Sequence, residues 1–117
     1  MSKSKDKGTW AETKTVDFLR ANGFPTAERR ALAGTNDLGD ILTGPGLAWE
    51  VKNRAKYAIP AWLAETQTER INAGADFGIL VVKPVGVGEK RVGDWWCVLT
   101  LEQITQLLRA AGYGDAL

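Results

Sequence analysis

The sequence predicts an α/β fold: a single domain spanning residues 1–117, with a central mixed β-sheet flanked by helices in the order α-β-β-β-α-β-β-α. Three observations lead there. The 117 residues are enough for one layered core and too few for two. The nearly continuous apolar run Phe77–Lys83 (FGILVVK) has the character of a strand buried on both faces. Helical patterns precede, interrupt and follow the extended segments, which is the arrangement of helices packed on the faces of one sheet.

The elements follow in turn. Residues 1–7 read as a flexible basic arm. The first helix is expected from about Thr9 to Asn22, closed by Gly23, with Thr15, Val16, Phe18 and Leu19 on its inner face. A strand is expected over 26–32, then a loop at Gly34-Thr35-Asn36-Asp37. Two short strands, Leu38–Thr43 and Leu47–Asn53, flank the turn Gly44-Pro45-Gly46 and should pair as a hairpin. Pro60 suits the opening of a second helix, which should end near Ala73 and Gly74, with Leu63, Gln67 and Ile71 on its inner stripe. After strand 77–83 comes a Gly-rich excursion, Pro84–Asp94, then strand Trp95–Leu99. A third helix starts at Thr100, with Gln103 at the capping-box position and Ile104, Leu107, Leu108 and Ala111 as its apolar stripe.

Composition narrows the chemistry. The chain has no histidine and one cysteine, Cys97, so imidazole-based acid–base systems, imidazole zinc sites and internal disulfides are excluded. Catalysis must use carboxylates, lysine, arginine, Thr or Tyr hydroxyls, or an oxygen-bound metal. The net charge of +1 is unevenly spread: residues 1–56 carry ten Lys/Arg against seven Asp/Glu, and residues 57–117 carry five against seven. No apolar run could span a bilayer, and none follows the MSKSKDKG start, so no membrane partner and a reducing cytoplasm are expected.

The hairpin carries the most informative pattern. Glu50 and Lys52 share one face of a strand, with Trp49 and Val51 on the other. A three-residue loop over 44–46 places 43 opposite 47 and therefore Asp40 opposite Glu50, with Cβ atoms roughly 5 Å apart; a two-residue turn would flip one strand and break the cluster. Two converging carboxylates suit Mg²⁺ or Mn²⁺, which fills its other positions with water and a substrate phosphate. Lys52 could orient a water or stabilise charge on phosphate oxygens. Glu12, between Val16 and Leu19 on the helical wheel, is either a third acid of the site or a first-turn glutamate favoured by the helix dipole.

Cationic and polar neighbours would hold a phosphate backbone. Of Arg29 and Arg30, consecutive in a strand, one is expected to reach the site. Thr35 and Asn36 either offer hydrogen bonds to a nucleic-acid backbone or are turn residues only. Gln67 on the second helix either orients a site residue, binds phosphate or, the reading its place in the inner stripe favours, bonds buried backbone. Lys7, Arg54 and Lys56 extend the positive surface.

Taken together, Lys7-Gly8-Thr9-Trp10-Ala11-Glu12, Gly39-Asp40-Ile41 and Trp49-Glu50-Val51-Lys52 resemble the PD-(D/E)XK nuclease superfamily, and within it the archaeal-type Holliday junction resolvases and their phage-encoded relatives. The resemblance runs from about Lys7 to Leu108. It implies a restriction-endonuclease-like fold and a homodimeric, Mg²⁺-dependent endonuclease acting on branched DNA, in the cytoplasm of a bacterial host if phage-encoded. It also implies Glu12, Asp40, Glu50 and Lys52 as catalytic residues, with Asp40, Glu50, the Val51 carbonyl and, through water, Glu12 as metal ligands. Gly39 stands where the nominal proline would be. The loop Ala33–Asp37 lacks the serines of the archaeal enzymes, and Asp37 is an additional acid near Asp40. Two other readings are a nuclease for flap, single-stranded DNA or RNA, and a nucleic-acid-binding protein of this fold that does not cut.

Overall fold

The computed structural model describes residues 3–30 and 38–115, apart from the side chain of Ser4. In chain order the elements are α1 (Lys3–Ala21), β1 (Glu28–Arg29), β2 (Ile41–Leu42), β3 (Leu47–Lys52), α2 (Ile59–Asn72), β4 (Phe77–Val82), a 3-10 helix (Glu89–Asp94), β5 (Trp96–Val98) and α3 (Leu101–Ala110). The strands form one sheet in the order β1-β2-β3-β4-β5, antiparallel except for the parallel β3–β4 pair. The chain is thus a single α/β domain with a mixed five-stranded sheet.

The parallel pair requires a crossover, and α2 supplies it. Side chains alternate along β3, so its two faces have different partners. Trp49 and Val51 join Ile41, Ile79 and Val81 beneath Ala11, Val16 and Leu19 of α1. The opposite face, with Ala48 and Glu50, lies toward α2. Gly78 on β4 permits the close approach of that helix, since a Cβ there would stand 3.1 Å from both the Thr66 carbonyl oxygen and Arg70 Cβ.

Several expectations are corrected. α1 begins at Lys3 rather than Thr9, so Lys3, Lys5 and Lys7 sit on a helix and not on a flexible arm. Nothing in residues 3–7 breaks a helix, Asp6 favours the first turn, and Asn53 Nδ2 donates to the Lys7 carbonyl at 3.2 Å, tying the helix to the end of β3. β1 and β2 are two residues each, shorter than the segments 26–32 and 38–43. The excursion after β4 contains the 3-10 helix. On α2 the inward residues are Thr66 and Glu69, while Ile71 is 68 % exposed. Phe18 is partly exposed at the edge of the α1 contact.

Gln67 is likewise corrected. It does not reach toward the hairpin; its Oε1 accepts from Arg70 Nε at 2.9 Å and from Gln103 Nε2. Gln103 is buried, and its own Oε1 accepts the Gly78 amide at 2.9 Å, extending the edge of β4 past the end of β5. Thr100 caps α3 as expected, accepting from the Gln103 amide at 3.2 Å, but the Gln103 side chain serves the sheet rather than the cap. No helix among the described residues is long and apolar enough to cross a membrane.

Candidate active site

The hairpin fixes the first two carboxylates. Ile41 pairs with Trp49, which is the register of the three-residue loop. Gly39 then kinks the chain with φ +99, where a Cβ would lie 2.7 Å from the Trp49 carbonyl oxygen. Only glycine fits this position without displacing β3. Beyond the kink, the Asp40 amide donates to the Trp49 carbonyl at 2.7 Å, and the Asp40 carbonyl accepts from the Arg30 amide at 2.8 Å. Asp40 Oδ2 accepts the Val51 amide at 2.9 Å. The side chain is therefore held against β3, beside Glu50.

A cavity of ≈ 350 Å³ opens over this point. Glu12, Asp40, Glu50, Val51 and Lys52 line it together, with Arg29, Arg30 and Arg54 around them. Arg29 Nε donates to Glu12 Oε1 at 3.0 Å. Arg30 is half-buried, and its Nε has no hydrogen-bond partner among the described residues. Both arginines line the cavity, whereas strand alternation allowed only one; β1 ends at Arg29, so the alternation does not continue through Arg30.

The structure adds two acids that sequence reasoning missed. Glu65 and Glu69 are one turn apart on α2, and with Glu50 they offer carboxylate oxygens all within 4.8 Å of one another. Glu69 is fully buried. Glu65 Oε2 lies 3.0 Å from Lys52 Nζ. Their signal in the sequence is the i,i+4 spacing of two glutamates on the crossover helix, which ordinarily marks a solvated face.

The electrostatics follow from this crowding. Burial, then the carboxyls of Asp40 and Glu69, push Glu50 far above the usual carboxylate range. Burial and Asp40 also raise Glu12, against the opposing pull of Arg29 and Lys52. Lys52 is opposed by burial, but Glu65, Glu50 and Asp40 outweigh it and hold the ammonium form more firmly than usual. A buried group of acids at this density needs protons or a cation to neutralise it. The donor set consists of hard oxygens, which suits a hard cation such as Mg²⁺ or Mn²⁺.

The remaining candidates fall elsewhere. Lys7 and Lys56 line a neighbouring depression with Arg54 and Trp62. Gln67 belongs to the contact between α2 and α3. Thr35, Asn36 and Asp37 lie outside the described residues. Comparison of the chain with protein-family models, curated proteins and solved structures gave no match.

Proposed function

We propose that this protein is a divalent-metal-dependent endonuclease that hydrolyses DNA phosphodiester bonds, with branched or junction DNA as substrate and a restriction-endonuclease-like arrangement of its sheet. The observation that carries this reading is the meeting of Asp40, Glu50, Lys52 and Glu12 in one cavity rimmed by Arg29, Arg30 and Arg54. A non-cutting binder would need the basic rim but not buried carboxylates facing it.

Asp40 and Glu50 would hold Mg²⁺ or Mn²⁺, with the Val51 carbonyl and Glu12 in support. Bound there, such an ion supplies Lewis acidity toward the phosphate and makes water more acidic. The protein's own groups do the rest. The Val51 amide fixes the Asp40 carboxylate, Lys52 faces the phosphate oxygens as charge builds on them, and Arg29 and Arg30 hold the backbone on either side. Glu65 keeps Lys52 charged and in place. A homodimer would set two such sites against two strands of a symmetric junction. Leu101, Ile104 and Leu108, on one face of α3 and exposed by 81 %, 36 % and 47 %, offer apolar surface for that association.

The test is a panel of labelled four-way junction, flap, duplex, single-stranded DNA and RNA substrates in Mg²⁺. Preferential cutting of the junction supports the assignment. Cutting confined to RNA overturns the substrate while leaving the nuclease, and binding without cutting of any substrate overturns the enzyme.

A further inference from the structure

A second concave surface adjoins the acid cavity. It is a groove of ≈ 980 Å³, walled by the first turns of α1, the segment after β3 and residues 83–91. Asn53 and Arg54 line both cavities, so the two lie side by side.

The groove's charge is one-sided. Lys7, Arg54, Lys83 and Lys90 line it, and none of them forms an ion pair among the described residues. Of its two acids, Glu89 is engaged by Lys14 at 2.9 Å, which leaves Asp6. Apolar side chains share the lining: Trp10, half-buried against Trp95 with ring centroids 5.9 Å apart, and Val85, 62 % exposed. The outer wall is anchored at several points. Trp95 Nε1 donates to the Gly88 carbonyl at 3.2 Å, the Val85 amide donates to Tyr57 Oη at 2.8 Å, and the Lys14–Glu89 pair ties the wall to α1.

Resting on the nuclease reading, we propose that this groove receives an unpaired nucleic-acid strand continuous with the one cut at the acid cavity. Cations alone would serve a duplex, which presents phosphates and hides its base faces. A groove that combines cations with an indole and an exposed aliphatic side chain fits sugars and bases as well as phosphates, which an unpaired strand offers together. Within the branched-DNA reading, the strand beside the scissile bond is then held unpaired when it is bound.

The test is fluorescence anisotropy with a short labelled oligothymidylate and a blunt duplex of equal length, in EDTA to prevent cutting, across a salt series. The full-length chain is compared with a Lys83→Ala, Lys90→Ala double variant and with Val85→Asp, each checked for folding by circular dichroism. The double variant is expected to weaken single-strand binding about tenfold and to reduce the log–log salt slope by about 1.4, two phosphate contacts at about 0.7 each. Val85→Asp is expected to weaken the oligothymidylate more than the duplex. Unchanged affinity and slope in the double variant, or equal losses on both ligands, overturns the groove. If those variants bind normally while the wild type still cuts in Mg²⁺, the nuclease reading survives without it; if the wild type neither binds nor cuts nucleic acid, both fall.

Discussion

Glu65 Oε2 lies 3.0 Å from Lys52 Nζ, so the amine beside the acid cluster is anchored by the crossover helix packed on its own face of the sheet. Glu65→Gln should leave the fold nearly unchanged, because a partly exposed pair contributes about 0–1 kcal/mol. Its effect should fall on cleavage, with a lower kcat and an alkaline limb of the pH–rate profile moved to lower pH, since Glu65 raises the Lys52 pKa. A rate and profile identical to wild type would remove Glu65 from the machinery.

Gly39 sets the position of Asp40. Gly39→Ala would add a Cβ 2.7 Å from the Trp49 carbonyl oxygen at φ +99. The cost should be about 1–3 kcal/mol, read as a lower urea midpoint. A midpoint within error of wild type would show that the kink is not required.

Gln103 completes the edge of β4. In Gln103→Leu the buried Gly78 amide loses its acceptor, and the Gln67 carbonyl oxygen loses one donor. A destabilisation of about 1–3 kcal/mol is expected, with metal affinity little altered because the acid cluster is not touched. A variant as stable as wild type would contradict this role.

The acid cluster makes metal-free stability depend on pH. The folded Glu50 pKa is raised above its ordinary 4.5. Above pH 4.5 the unfolded chain loses a proton that the native chain retains, so ν_U − ν_N is negative and unfolding free energy falls as pH rises. Glu12 acts in the same direction. The raised Lys52 pKa has its effect only above 10.5 and does not enter this window. In EDTA, Tm should therefore fall between about pH 5 and about pH 8. Glu50→Gln should flatten the profile and raise Tm at neutral pH, and Mg²⁺ or Mn²⁺ should restore wild-type Tm at the upper end. A flat wild-type profile would contradict the cluster's electrostatics.

Much of this architecture was legible in local sequence. The Phe77–Lys83 run announced a buried strand because both of its faces are covered. Of the two registers open to the turn at 44–46, the structure has the three-residue one, with Ile41 against Trp49, and alternation along β3 puts Glu50 and Lys52 on one side of the sheet. Trp95 is buried and its neighbour Trp96 exposed, as alternation along an extended segment requires. Helix α2 was read in the wrong phase. Its apolar residues Leu63 and Ile71 suggested the inner stripe, but the contact with Gly78 turns Thr66 and Glu69 inward. The glutamates beside Glu50 were therefore invisible to periodicity, because a buried acid is legible only once its partner from a distant strand is in place. The helical start at Lys3 was hidden for a similar reason, since its anchor is Asn53.

The most direct measurement is single-turnover cleavage of a labelled four-way junction by the wild type and by Asp40→Asn, each in Mg²⁺ and in EDTA, with junction binding measured in parallel. The expected result is cutting by the wild type in Mg²⁺ alone, a loss of at least about 100-fold in Asp40→Asn, and junction affinity within a few-fold of wild type. Equal cutting by Asp40→Asn, or undiminished cutting in EDTA, would contradict a cation held by these carboxylates.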